Sequence, residues 1–431
     1  MPGMPEPTVP VLAVPEPAVP EPAVPALAVL RLAARNVFRQ RGRSLMTLAA
    51  IVLGVVALIL AGGFIKDTID ELGESMIHSQ SGHLQVSREG YRKHGAHEPN
   101  AYLVREPEDL RARLAAQPGV EEVLLRTAFS GLLNNGRSDW AVVGEGVEPA
   151  AEARLGTYIE LAEGRKLTAG DPYGMMIGAG VARALALAPG DWVNLLVNTP
   201  DGAVNVLEFE VLGIFQTFSK DYDARAVRIP LAAAQELMGD AGVHLAVIRL
   251  GETAATDRAM AAVADTLAGQ GYEVFGWKLL NPFYEQTVEL YQQQFGFLVA
   301  VILLMLALSV GNAVNMNVHE RAAEFGTMMA CGARRPEIFR LILVESALLG
   351  LLGAVLGVLA GNALALLISA IGIPMPPPPN SDLGYISLIR LSGWVSLCAA
   401  LIGVLAPVAA AIRPALRAAR ADIAEALRQG I

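Results

Sequence analysis

Four apolar runs constrain this chain more than any other feature: Leu45–Ile65, Phe297–Val314, Leu341–Ile371 and Leu391–Ile412. A helix needs about 20 apolar residues to cross a bilayer, so each run reads as a membrane span. Hydrophobic residues make up 53% of the 431 and charged residues 17%, a balance too apolar for an ordinary soluble protein. Residues 66–293, between the first two runs, hold 32 acidic and 19 basic residues, a net of −13, against a net of +4 elsewhere. The expected fold is a membrane α-helical one with four transmembrane helices and a large extracytoplasmic α+β domain inserted between helices 1 and 2. An acidic exterior of this kind argues against nucleic acid as a partner.

The basic residues orient the spans. Arg31, Arg35, Arg39, Arg41 and Arg43 precede the first, Arg321–Arg340 separate the second and third, and Arg413, Arg417, Arg420 and Arg428 follow the fourth. Positive residues stay cytoplasmic, which predicts both termini inside and 66–293 outside. The expected organisation is a disordered Pro-rich tail over 1–29, with PEPAVP repeated, then a basic segment and the first helix over 30–65. The extracytoplasmic domain with helical stalks covers 66–293, and 294–431 hold the other three spans, a cytoplasmic elbow and a C-terminal tail.

Within the outer domain, residues 66–80 keep helical spacing and predict a stalk continuing from the first span. Short β-branched segments bounded by turn residues predict strands at Gly82–Ser87, Val120–Ala128, Trp140–Val143, Trp192–Val197, Val204–Phe215, Arg225–Ile229 and Ala246–Leu250. Helices are expected at Glu108–Gln117, Gly180–Ala188, Leu231–Leu237 and Thr256–Gly269, with a further helical segment near Asn281–Gln294 leading into the second span.

The elbow, Asn315–Glu345, links two spans. From His319 to Ala330 the pattern is that of a short amphipathic helix, with Phe325, Met328 and Met329 on one face and Glu320 and Glu324 on another. Gly332 is placed to end it and Pro336 to begin the next helix. An exposed Phe and Met face beside acidic residues suits docking into a partner's groove; an interfacial helix dipping into lipid headgroups is the alternative. In the third span Gly353, Gly357 and Gly361 recur every four residues, the spacing that lets helices approach closely in lipid. Glu345 falls near the inner interface, where its intramembrane carboxylate could pair with a neighbouring helix or Arg340, or snorkel to water.

No catalytic constellation emerges. The histidines His78, His83, His94, His97 and His244 lack metal-ligand spacing and are expected to be solvated or on strand surfaces. No GxSxG elbow and no GxxxxGK[ST] phosphate loop occurs. Cys331 and Cys398 are expected to be unpaired. No cofactor is expected on this chain.

The sequence resembles the FtsX/MacB/LolE superfamily of ABC-transporter permeases. The segments that carry the likeness are NVFRQRGRS, SGHLQVSREGY, the elbow HERAAEFGTMMACGARRPEI with Leu341 and Glu345 following, and PALRAARADIAEALR. GHLQV is closest to the lipoprotein-releasing LolC/LolE branch. The resemblance implies a non-catalytic, dimeric permease of the bacterial inner membrane, paired with a second copy or a homologous permease. ATP would be bound and hydrolysed by a separate ABC ATPase subunit, and its action passed to the outer domain to move a lipoprotein, lipid or other amphiphile. An FtsX-like regulator that activates periplasmic cell-wall hydrolases is the alternative. Carried over, Glu320, Arg321, Glu324, Phe325, Gly326, Gly332 and Ala333 would form the ATPase-coupling element. Met329 stands where family members commonly carry a basic residue.

Overall fold

The computed structural model describes residues 41–95, 99–199, 202–376 and 384–420, with 31–33, 35, 36 and 39 before them. The expected disordered tail, 1–29, and Arg428 lie outside the described residues. Among the described residues four helices are long and apolar enough to cross a membrane: Arg41–Met76, Pro282–Glu320, Arg335–Ile371 and Gly393–Arg420.

Every one of these helices outruns its apolar stretch. The first continues through the expected stalk and closes in a π-helical turn, Ile77–Ser81. The fourth was expected to stop near Ile412 but runs to Arg420, so Arg413, Arg417 and Arg420 lie on the helix rather than in a tail. The Ala-, Leu- and Arg-rich composition of 415–420 favours helix strongly enough to continue past Pro414.

The chain divides into two compact units: residues 1–57, 301–360 and 397–431 form one, and residues 58–300 and 361–396 the other. The second unit holds a ten-stranded sheet. Its strands are β1 (Leu84–Arg88), β2 (Val120–Asn134), β3 (Asp139–Val147), β4 (Glu160–Gly164), β5 (Gly174–Gly178), β6 (Trp192–Asn198), β7 (Val204–Gln216), β8 (Ala226–Pro230), β9 (Leu245–Leu250) and β10 (Tyr272–Gly276). They run in the order β10-β1-β9-β2-β3-β8-β5-β7-β4, with β6 pairing β2 and β7.

The long strand β2 joins two cores. Its first half pairs with β9, where Leu84, Val86, Ile248 and residues of the Pro107–Ala115 and Thr256–Leu267 helices close one apolar cluster. Its second half pairs with β3 and β6 over a separate cluster that includes Phe209, Ile177 and Val227, roofed by the Ala179–Leu185 and Leu231–Met238 helices. Three strands, β4, β5 and β10, lie where no strand was expected. Between the third and fourth spanning helices, β11 (Ile373–Met375) pairs antiparallel with β12 (Tyr385–Ser387).

Charged groups tie the stalk to this sheet. Arg126 on β2 and Arg228 on β8 are 0% and 2% exposed, and both bond Glu152 Oε1, at 2.8 and 2.9 Å. Arg126 Nη1 also donates to the carbonyl of Gln80 (2.5 Å), and Arg228 Nη2 to that of Ser79 (2.8 Å). These carbonyls end the first helix, where unpaired acceptors and the helix dipole favour a cation. Burial alone would raise the Glu145 carboxyl; Arg126 and Arg228 together hold it below the usual carboxylate range. Gly82, at φ +62°, turns the chain from stalk into β1, and a Cβ there would come within 2.3 Å of Val247 Cγ1.

Two of the histidines are buried rather than solvated: His83 is 1% and His244 0% exposed. Their ring nitrogens find partners within the protein, which offsets the cost of burying them. His83 Nδ1 accepts from Leu250 N–H (3.2 Å) and its Nε2 faces Thr253 Oγ1 (3.2 Å). Burial, aided by nearby His78, pushes His83 from 6.5 down to about 4. The depressed value means that the neutral ring stabilises the fold above about pH 6.5 and that this contribution is lost as pH falls toward 4. The unfolding midpoint of the full chain should therefore fall on acidification through this window, and His83→Gln should flatten the slope. Parallel midpoint curves for the two proteins would contradict this assignment.

Candidate functional site

The elbow lies in the unit formed by residues 1–57, 301–360 and 397–431. The expected elbow helix was to begin at His319, but His319 and Glu320 complete the second spanning helix and the elbow helix proper is Ala322–Ala330. Arg321, at φ −101° and ψ 10°, is the hinge residue between them. Gly332 ends the elbow helix as expected. At φ +100° it donates to Met329 O (3.1 Å), while Ala333 N–H reaches back to Met328 O (3.0 Å). That pair of bonds is a Schellman closure, and a left-handed residue there is most easily glycine. The next helix is capped by Glu337, which accepts from Arg334 N–H (2.9 Å).

Glu345, on the third spanning helix, is 6% exposed and pairs with Arg321 rather than Arg340. Arg321 Nη1 lies 2.9 and 3.0 Å from its two oxygens, and Asn36 Nδ2 donates to Oε1 at 2.7 Å. Arg340 sits five residues before Glu345 on the same helix, and only neighbours three or four apart share a face. Arg321 is itself 5% exposed, and its Nε reaches Glu324 Oε2 at 3.0 Å. Arg39 holds the other oxygen of Glu324. Burial acts to raise Glu324, but Arg321 and Arg39 together keep its carboxyl below the usual range.

Phe325 does not present its ring to a partner, as its sequence context suggested. It is 3% exposed, with the Arg321 guanidinium 4.9 Å from its ring centroid, and Gly326 and Met329 are buried beside it. The physical reason is the buried ion pair: Arg321, Phe325 and Met329 share one helical face, so turning Arg321 inward takes the apolar residues with it. The outer face of the elbow therefore consists of Glu320, Glu324, Thr327, Ala330, Cys331 and Gly332, all exposed. Asn36 and Arg39, both from the segment before the first span, were not anticipated in the site. Only the basic character of that segment pointed toward them.

The glycine register also finds its partner within the chain. A Cβ at Gly353 would meet Ile51 at 2.6 Å, and one at Gly357 would meet Val55 at 2.7 Å. In the other unit, a Cβ at Gly361 would lie 3.0 Å from Ile59. A four-residue ladder of glycines on the third helix thus faces a four-residue ladder of β-branched residues on the first.

Two family models cover this architecture: the MacB-like periplasmic core domain matches residues 44–266, and the FtsX-like permease C-terminal region matches residues 296–423. The chain belongs to the FtsX/MacB/LolE-type ABC-transporter permeases. Similar proteins include the lipoprotein-releasing system transmembrane protein LolC of Neisseria meningitidis, 24% identical over 93% of this permease and 97% of LolC. The macrolide export ATP-binding/permease protein MacB of Bordetella avium is 28% identical over 52% of this permease but only 34% of MacB. The permease thus spans about a third of the length of that MacB and nearly all of LolC. The periplasmic region of MacB from Actinobacillus actinomycetemcomitans is 14% identical, covering 49% of this permease and 95% of that region, with a TM-score of 0.35. The FtsX-like region contains the elbow, so the buried Arg321–Glu345 pair lies within the family's shared part. Four apolar helices and these relatives make this a multi-pass protein of the inner membrane.

Proposed function

We propose that this permease couples ATP hydrolysis by a separate ABC ATPase to movement of a lipoprotein, lipid or other amphiphile on the far side of the membrane. It does so as a dimer with both termini cytoplasmic. The observation that carries the reading is the Arg321–Glu345 pair, which joins the elbow to the third spanning helix at 2.9 Å. A force on the elbow's outer face would pass through Arg321 into that helix, and through Glu324 and Arg39 into the segment before the first span. The sequence has no phosphate loop, so ATP turnover falls to the partner. The amphiphile reading follows from the likeness to LolC, whose name assigns it to lipoprotein release.

In this account the site residues have two roles. Glu320, Glu324, Gly332 and Ala333 contribute to the docking surface, while Arg321, Phe325 and Gly326 form its inner support. Thr327 is exposed, and among the described residues its hydroxyl bonds only Ala323 O (2.8 Å) within its own helix, so it probes the surface without touching the ion pairs. Thr327→Arg should weaken ATPase recruitment while leaving membrane insertion and thermal stability unchanged. Glu324→Lys should retain more recruitment but uncouple hydrolysis from transport, because it breaks contacts to Arg321 and Arg39. Wild-type recruitment and transport in both variants would remove the elbow from the coupling route.

A further inference from the structure

We propose that a cleft beside the stalk binds the zwitterionic headgroup of a membrane phospholipid, its phosphate on Lys66, Lys278 and Arg390 and its amine on Asp257. The assignment rests on the amphiphile reading above and adds a position and a headgroup chemistry to it. The cleft lies wholly within the unit of residues 58–300 and 361–396 and has a volume of about 420 Å³. It shares Glu74, Thr253 and Ala254 with a second cavity of about 520 Å³ further along the stalk. Either volume falls within the ~300–1,000 Å³ usual for small-molecule sites.

Depth fixes the class of ligand. Lys66 directly follows the apolar run Leu45–Ile65, and Arg390 directly precedes Leu391–Ile412, so both cations sit where the hydrocarbon ends and headgroups begin. They come from the first spanning helix and the segment before the fourth, which meet: a Cβ at Gly63 would lie 2.9 Å from Arg390 O. Asp70 holds both cations, with Lys66 Nζ at 3.2 Å and Arg390 Nη1 at 3.1 Å, and Asp67 takes Arg390 Nε at 3.5 Å. Asp67 is in turn fixed by Leu388 N–H at 2.7 Å. These contacts position the two cations without exhausting their donors: both side chains stay more than 40% exposed, and Arg390 Nη2 has no protein partner among the described residues. A planar guanidinium presented in this way is suited to a phosphate.

The far wall supplies the rest. Trp277 is 4% exposed and packs edge-on against Tyr284 at 4.6 Å, a buried aromatic floor of the kind found at membrane interfaces. Lys278 extends over the Trp277 ring at 5.8 Å and has no carboxylate partner among the described residues. Asp257, in the first turn of the Thr256–Leu267 helix, also lines the cleft, is exposed and has no cation partner among the described residues. Unpaired charges of both signs on one cleft match a ligand that carries both. A purely anionic headgroup would leave Asp257 opposed to it.

The test is lipid retention, measured on the full chain without ATPase or turnover, so that it can fail independently of the transport reading. The protein is equilibrated in mixed vesicles of phosphatidylethanolamine and phosphatidylglycerol, extracted, and its retained lipids are weighed by native mass spectrometry. Wild type should retain phosphatidylethanolamine above its bulk ratio. Lys278→Gln combined with Arg390→Gln should lose retention of both lipids, whereas Asp257→Asn should keep retention but lose the preference. Retention at the bulk ratio by wild type, or an unchanged preference in Asp257→Asn, would overturn the assignment. Displacement of the retained lipid by inorganic phosphate alone would assign the cleft to a soluble phosphate compound and equally overturn it. Thermal midpoints of the variants identify any loss that reflects misfolding, and charge-conserving Lys278→Arg should restore retention if the cation is what matters.

Discussion

Glu345→Ala should destabilise the helical bundle by up to about 3–5 kcal/mol, because the buried Arg321 guanidinium loses the carboxylate on Nη1 and keeps only the half-exposed Glu324 on Nε. Asn36 would lose its acceptor as well, so three groups from three segments are affected together. Glu345→Gln removes the charge but keeps an acceptor for Asn36 and should cost less. Both should sever elbow movement from the third spanning helix, so that a complex containing the Gln variant binds the ATPase normally yet fails to link hydrolysis to transport. Thermal unfolding in detergent and ATPase assays on the reconstituted complex check the two parts separately. An unchanged midpoint together with normal coupling in Glu345→Ala would mean that the pair is an incidental contact.

Gly357→Leu should have an effect of similar scale by a different route. The first atom of the new side chain would stand 2.7 Å from Val55 Cβ and 3.3 Å from Val52 O, so the third helix must move away from the first. Overpacking a well-fitted contact costs about 1–3 kcal/mol, and here the separation also forfeits neighbouring contacts at Gly353 and Ile51. In lipid those contacts have no hydrophobic substitute, because the surrounding chains are as apolar as the side chains. Gly357→Ala should fall between wild type and Leu in thermal midpoint and in yield of folded protein. If all three behave alike, the glycine ladder is not a close-packing device.

Much of the architecture was legible because hydrocarbon imposes a length on its helices. The four apolar runs could hardly be anything else, and the strands rich in valine and isoleucine at 204–215 and 246–250 also announced themselves. The strands that escaped notice show where composition stops being informative. Glu160–Gly164, ELAEG, is exposed throughout and carries helix-favouring residues, so only its pairing with β7 makes it a strand. Gly174–Gly178, GMMIG, is buried throughout and shows no alternation, because β7 and β8 flank it on both sides.

The site divides in the same way. Gly332 could be read locally because a helix end needs a left-handed residue within a few positions of its last turn. The partner of Glu345 could not, since Arg321 lies 24 residues away and Asn36 lies 309 away, and no local rule connects them. The same missing contact explains the inverted reading of Phe325. An amphipathic pattern fixes which residues share a face but not which way that face turns, and the buried Arg321 decides the direction.

Cysteine cross-linking from the elbow tests the coupling account most directly. Cys331 is exposed at the end of the elbow helix, and Cys398, within the fourth span, can be replaced by alanine to leave a single thiol. In the reconstituted complex, Cys331 should cross-link to the ATPase through a short thiol-reactive linker, with a yield that changes between nucleotide-free and ATP-bound states. If the ATPase co-purifies but no cross-link forms from Cys331 in either state, the elbow is not the docking element and the route through Arg321 and Glu345 is wrong.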